Sequence, residues 1–182
     1  MARATVVHQL HDLGVAAWFG GTLANAVALN PAAARAGESR DVGAVANAGW
    51  DRWTPVNAVA IGAHLAGSVG LLQHDLGRMT AQKGVGQMAL TKTALTAGAL
   101  GLTAYSRALG KKVSEHQAVP AVDGTTPAPS TPPDVAAAQK KLAALQWAIP
   151  VVTGAIVAIS SYASEQYRPE EVKKGMIQRV RS

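Results

Sequence analysis

Two copies of one tetrapeptide hold most of the reactive side chains in this sequence. His-Asp-Leu-Gly stands at 11–14 and again at 74–77, and His8 precedes His11 by one helical turn. Together these segments supply His8, His11, Asp12, His74 and Asp75. Imidazole and carboxylate are ligands for zinc, copper or iron, and imidazole also carries protons near neutral pH. A His-x-x-His at a helix start is a looser arrangement than the tight His-Glu-x-x-His of dedicated zinc sites. The same residues also make an ordinary polar cap at a membrane surface, with Asp12 favoured near a helix N-terminus. Arg78 and Lys92 lie near this set and oppose a bound cation.

A further histidine, His64, stands apart in the apolar run "AIGAHLAGS". An ionisable group in a membrane span is costly and by default functional. With His11, or with His8 or His74, it could ligate haem or a transition metal. Facing inward with Asn57, it could line a polar path, and as a neutral imidazole it could simply tie helices together. Lys92 lies near the start of its helix and can snorkel to the interface. Interhelical hydrogen bonding accounts for Asn25 and Asn57.

The elements that position these residues are four long, nearly uncharged stretches at 13–34, 53–73, 84–106 and 142–164, the third interrupted only by Lys92. A bilayer core needs about 20 apolar residues of helix, and each stretch reaches that length. A soluble bundle needs a charged face repeating along every helix. Neither 13–34 nor 142–164 carries a charge on any face. The first stretch is long and follows His8, His11 and Asp12, so it reads as a retained helix and not a signal peptide.

The connections fit this division. A charged loop over 35–52 leads to Trp50, Trp53 and Pro55, which suit an interfacial belt and a first helical turn. A short loop covers 74–83. The segment "AVPAVDGTTPAPSTPPD" makes 111–133 a flexible, extended linker, with Asp134 as N-cap of the last helix. A charged tail occupies 165–182, where Pro169 breaks or restarts the helix. Small residues four apart occur in every span: Ala17 and Gly21, Ala63 and Gly67, Ala94 and Gly98, Ala97 and Gly101, Gly154 and Ala158. Such pairs let backbones approach closely in lipid. Pro150 should kink the last span, with Thr153 positioned to compensate.

Composition closes off several classes. Hydrophobic residues make up 48% of the chain and charged residues 15%, and there is no cysteine. Disulfides, iron–sulfur ligation and thiolate chemistry are therefore absent. The net charge of +6 comes from residues at the ends of apolar stretches, where anionic lipid headgroups account for them. No nucleic-acid recognition motif accompanies it, so nucleic acid is not a predicted partner. The glycines lie within spans and not between a strand and a helix, so no nucleotide loop is implied. No catalytic residue is assigned. Basic residues divide almost evenly between the two sides, and the Thr/Pro-rich connection tips the expectation towards both termini in the cytoplasm.

The segment "HDLGVAAWFGGTLANAVALNPAAAR", with Trp18, Gly20, Gly21 and Pro31 and the tryptophan-rich stretch after it, resembles small four-helix bacterial membrane proteins of unknown function. The resemblance covers about the first half of the chain. It implies a four-span architecture and transfers no active-site residue; the expected location is the bacterial inner membrane.

The resulting expectation is an all-α, four-transmembrane-helix bundle forming one integral membrane domain over 1–182. Its preferred role is a non-enzymatic accessory, scaffold or stabilising subunit, with the lipid bilayer and a membrane-protein partner or second copy as partners. A haem- or metal-binding redox or oxygenase-like protein using His64, and a small transporter or channel, are the alternatives.

Overall fold

The computed structural model describes residues 2–115, 120–165 and 167–180. Every long element among them is a helix. Helix α1 (Ala2–Ala24) runs through one π-helical turn (Asn25–Leu29) into the short α2 (Asn30–Ala33). The π turn is a consequence of Pro31. Its ring crowds the carbonyl of residue 27 one turn back, and the Asn30 N–H reaches further, to the Asn25 carbonyl. Helices α3 (Ser39–Ala81), α4 (Val85–Ser114), α5 (Pro133–Glu165) and α6 (Pro169–Val180) follow. Gly37 and Gly84 turn the chain at α2–α3 and α3–α4 with φ of +93° and +89°, a region that favours glycine.

The connections are shorter than the charge pattern predicts. The loop expected over 35–52 shrinks to the turn at 34–38, and α3 takes up the rest. Pro55 therefore lies inside α3 and not in its first turn. The Thr54 hydroxyl donates to the Trp50 carbonyl beside it. At 43 residues, α3 is about 65 Å long, roughly twice a bilayer core. Its first turns, with Arg40, Asp41 and Arg52, therefore extend beyond any apolar slab that holds its middle.

Three helices are long and apolar enough to cross a membrane: Thr5–Ala33, Ser39–Ala81 and Pro133–Glu165. The third predicted span, now α4, is long enough at 30 residues but not among them. Its threonines 91, 93, 96 and 103, with Lys92, dilute its apolar character. What the molecule buries and exposes also departs from a water-soluble fold. Val59, Leu13 and Leu90 are at least 70% exposed, while His64, Thr153 and Gln139 are almost completely buried.

The helices pair as α1 with α3 and α4 with α5, α1 also lying along α5; α3 and α4 meet only sparsely. Glycine sets the first pairing. A Cβ on Gly14 would run into the backbone of Ala60 and His64, and one on Gly67 into the backbone of Val7 and His11. Gly21 carries the ring of Trp53, and Gly154 lies under Phe19. The predicted pairs in α4 do no such work, since Gly98 and Gly101 face open space. Thr153 is fully buried, and its hydroxyl donates to the Ile149 and Pro150 carbonyls instead of replacing the hydrogen bond that Pro150 removes.

The proline-rich connection also differs from an extended linker. Helix α4 continues to Ser114, and residues 116–119 lie outside the described residues. Beyond them, Ala121 bridges Pro127, the Thr131 hydroxyl donates to the Pro120 carbonyl, and Asp123 closes a turn on Thr125 and Thr126. The turn is docked: Ala121 N–H donates to the Ser39 carbonyl and Gly124 N–H to the Asn30 carbonyl. Proline excludes helix here, but short side-chain and main-chain bonds fold the segment into a cap over one end of the bundle. Asp134 falls in the first turn of α5 and not at its N-cap. Part of the predicted tail is the amphipathic α6, whose Gly175 carbonyl accepts from Lys83 N–H.

Candidate functional site

The start of α1, the end of α3, the start of α4 and the segment around Tyr167 share one end of the bundle, and all predicted site residues but His64 gather there. They form two groups. In the first, Asp75 accepts from Tyr167 Oη, from Arg78 Nη1 at 3.2 Å and from His74 Nδ1 at 3.2 Å. Arg78 stacks its guanidinium 3.8 Å over the Tyr167 ring, and His8 meets the same ring edge-on at 5.4 Å. Burial pushes the Tyr167 phenol above its ordinary pKa, and donation to Asp75 adds to the rise.

The second group runs inward. His11 is buried, and its Nδ1–H donates to Asp12 at 2.7 Å. With α1 starting at Ala2, Asp12 lies well inside the helix and not near its N-terminus. His64, completely buried, donates from Nδ1 to the main-chain carbonyl of His11 at 3.2 Å; its Nε2 then accepts from Thr96 Oγ1 at 3.1 Å. Its ring lies 4.5 Å from that of His11 and 6.2 Å from that of Trp18, centroid to centroid. Trp18 Nε1 donates to Thr103, so α1, α3 and α4 are tied together at this level.

Two cavities open along the loose α3–α4 seam, one on each side of this layer. The larger, about 340 Å³, is lined mainly by apolar side chains, including Leu65, Val69, Val85 and Met88. His8, His11, Asp12, Asp75, Arg78 and Lys92 supply its polar side. The smaller, about 200 Å³, lies towards the opposite end under the 120–132 cap. A relay of hydrogen bonds forms part of its wall: Trp50 to Asn30, Asn30 to Gln146, Gln146 to Thr125 and Thr125 to Asp123. Burial raises the Asp123 carboxyl, and the bonds from Thr125 and Thr126 outweigh it, holding the group below the usual carboxylate range. Trp53 Nε1 and Asn57 Oδ1, in residues lining the same cavity, are buried without a partner among the described residues.

Among the described residues, no three His, Asp or Glu side chains converge on a point that would hold a metal ion. The predicted metal set of His8, His11, Asp12, His74 and Asp75 is brought to one end without forming a ligand cage. The predicted cofactor pair, His11 and His64, is brought into ring contact. Both nitrogens of His64 are engaged by protein groups, so ligation there must break one of those bonds. Sequence reasoning missed Tyr167, Thr96 and the Asn30–Gln146–Thr125 relay, and it named Trp18 only in the resemblance, with no role beside His64. These roles become visible only when distant helices meet. Comparison with protein-family models, curated proteins and solved structures finds no match to this chain.

Proposed function

We propose that this chain is a multi-pass protein of the bacterial plasma membrane, with α4 completing a four-span bundle and both termini in the cytoplasm. Its role is non-enzymatic: an accessory, scaffold or stabilising subunit of a larger membrane assembly. The observation that carries the reading is the engagement of His64. The deepest ionisable side chain spends both ring nitrogens on holding α1, α3 and α4 together. That favours a structural strut over the haem- or metal-binding alternative. The exposed apolar surfaces of α1, α3 and α5 supply the lipid- and partner-facing area such a subunit needs.

Purification in mild detergent tests the reading, with an absorbance spectrum, elemental analysis and cross-linking mass spectrometry on the same sample. The expected sample is colourless and metal-free, with one membrane partner or a second copy at fixed stoichiometry. His64→Ala should then lower thermal stability and leave that composition intact. A haem band or near-stoichiometric metal, lost in His64→Ala or His11→Ala, would replace the accessory role with a redox one.

A second reading rests on the two cavities. Placed on either side of the Trp18–His64–Thr96 layer, they give the outline of a closed path for a small transporter or channel. Proteoliposomes decide it: solute flux that rises in Thr96→Ala supports the path, and tight vesicles in both proteins remove it.

A further inference from the structure

Lys92 lines the larger cavity, is only partly exposed, and has no hydrogen bond or ion pair among the described residues. Asp12 and Asp75 attract it only at longer range. Both carboxylates are already engaged, Asp12 by His11 and Asp75 by Tyr167, His74 and Arg78. The other cation of this cavity, Arg78, is held by Asp75, Gln82 and the Tyr167 ring. An ammonium partly withdrawn from water with no direct partner among the described residues is unfavourable, since both nearby carboxylates are held by other groups. An anionic group on a bound molecule would supply that direct partner.

Its chemistry follows from the rest of the lining. Lys92 lies seven residues into α4 from Val85, about 10 Å along the axis. Around it the seam is apolar, with Leu72 and Leu100 besides the residues already named. A small inorganic anion would gain nothing from that lining. A molecule with an anionic head and one hydrocarbon chain would use both, the head on Lys92 and the chain in the gap between α3 and α4. At about 340 Å³ the cavity falls within the size range of small-molecule sites. Ser160, on α5, adds a buried hydroxyl with no partner among the described residues to the same lining. We infer that this cavity binds a single-chain anionic amphiphile, a carboxylate or phosphate monoester, with Lys92 as the headgroup ligand. The inference goes beyond the accessory reading and does not depend on it.

The test uses the full chain in a nonionic detergent. The probe is cis-parinaric acid, followed by energy transfer from the tryptophans, with transfer in protein-free and denatured samples subtracted. Saturable binding is expected, with displacement by palmitate or by 1-palmitoyl lysophosphatidate. Hexadecanol, with the same chain length and no charge, should compete at least 10-fold less well. Preference for palmitate identifies a free carboxylate as the source, and preference for lysophosphatidate a lipid phosphate; either supports the site. Lys92→Met should weaken probe binding about 10-fold and Lys92→Arg should preserve it. Asp12→Asn keeps an acceptor for His11, removes a nearby negative charge and should tighten binding. Equal competition by hexadecanol overturns the inference, as does unchanged affinity in Lys92→Met. If Lys92→Met does not fold, Asp12→Asn decides, and unaltered or weaker binding there rejects the site.

Discussion

His64 donates to the main-chain carbonyl of His11, 3.2 Å away, across the interface of α1 and α3. That carbonyl lies in the middle of a helix, where it also serves as acceptor for the ladder of α1, so the bond is a second one to an oxygen with two lone pairs. It fixes the proton on Nδ1 and leaves Nε2 to receive the Thr96 hydroxyl. The backbones come close enough for this only because Gly14 and Gly67 lie on either side of the crossing. The histidine and the glycines are thus one device: close approach makes the bond possible, and the bond fixes the register of the crossing.

The strength of the His64–Thr96 bond is open to direct measurement. Interhelical hydrogen bonds inside membrane proteins average about 0.6 kcal/mol in double-mutant cycles and reach about 1.7. His64→Leu, Thr96→Val and the double variant, unfolded by dodecyl sulfate titration in mixed micelles, should show a coupling in that range. Strictly additive effects would mean the two side chains do not interact, and the strut would have to be abandoned.

Glycine substitutions should separate sharply by position. Leucine at Gly67 meets the backbone of Val7 and His11, which cannot retreat without separating the helices, and Gly14→Leu meets Ala60 and His64 in the same way. Overpacking typically costs about 1–3 kcal/mol and more where backbone must move. Both variants should lose the sharp, monodisperse peak of the wild type on size exclusion in detergent. Gly98→Leu and Gly101→Leu, which face open space in α4, should elute normally. Equal damage at all four sites would show that the α1–α3 crossing is misplaced.

The sequence already carries the all-helical architecture and three of the apolar helices, because charge-free runs of more than 20 residues leave few alternatives. Element ends were less legible. Charges at 35–52 read as a loop, yet Arg40, Asp41 and Arg52 stand exposed on a helix that projects beyond its apolar middle, and Pro55 is absorbed within it. Proline density marks 120–132 as non-helical, but Asn30, Ser39 and Gln146 decide where that segment docks, and they are remote in sequence. The repeated His-Asp-Leu-Gly does locate one end of the bundle. It does not tell that His11 turns inward to His64 while Asp75 turns to Tyr167, because that depends on helix rotation, which small-residue contacts set after assembly.

The 120–132 cap should respond to acid through Asp123. Its carboxyl is held below the ordinary range in the folded protein, chiefly because hydrogen bonds from Thr125 and Thr126 outweigh burial. The unfolded chain therefore takes up a proton first as pH falls. The contribution is complete above the ordinary aspartate value of about 4 and is lost as pH falls through the lower folded value. Asp123→Ala should cost about 1–2 kcal/mol near neutrality, read as faster hydrogen exchange over 121–131. The difference from wild type should shrink below about pH 4. A difference that stays constant to pH 2 would remove Asp123 as its source.

At the opposite end, the Tyr167–Asp75 bond should behave in the reverse sense with pH. Burial raises the phenol's pKa and donation to Asp75 raises it further, so the folded state favours the neutral ring. The contribution is complete below the ordinary tyrosine value of about 10 and declines as pH rises from there through the folded value. Tyr167→Phe keeps the ring under Arg78 and beside His8 but removes the donor, leaving Asp75 with His74 and Arg78. A loss of about 1–2 kcal/mol is expected, since the acceptor is charged. Because 167 leads directly into α6, the loss should also appear as earlier proteolysis within 169–180. The stability difference between wild type and Tyr167→Phe should be flat from pH 7 to about 9 and narrow above about 10. Undiminished protection of 169–180 in Tyr167→Phe would show that Gly175 and Gln82, not the phenol, hold α6 against the bundle.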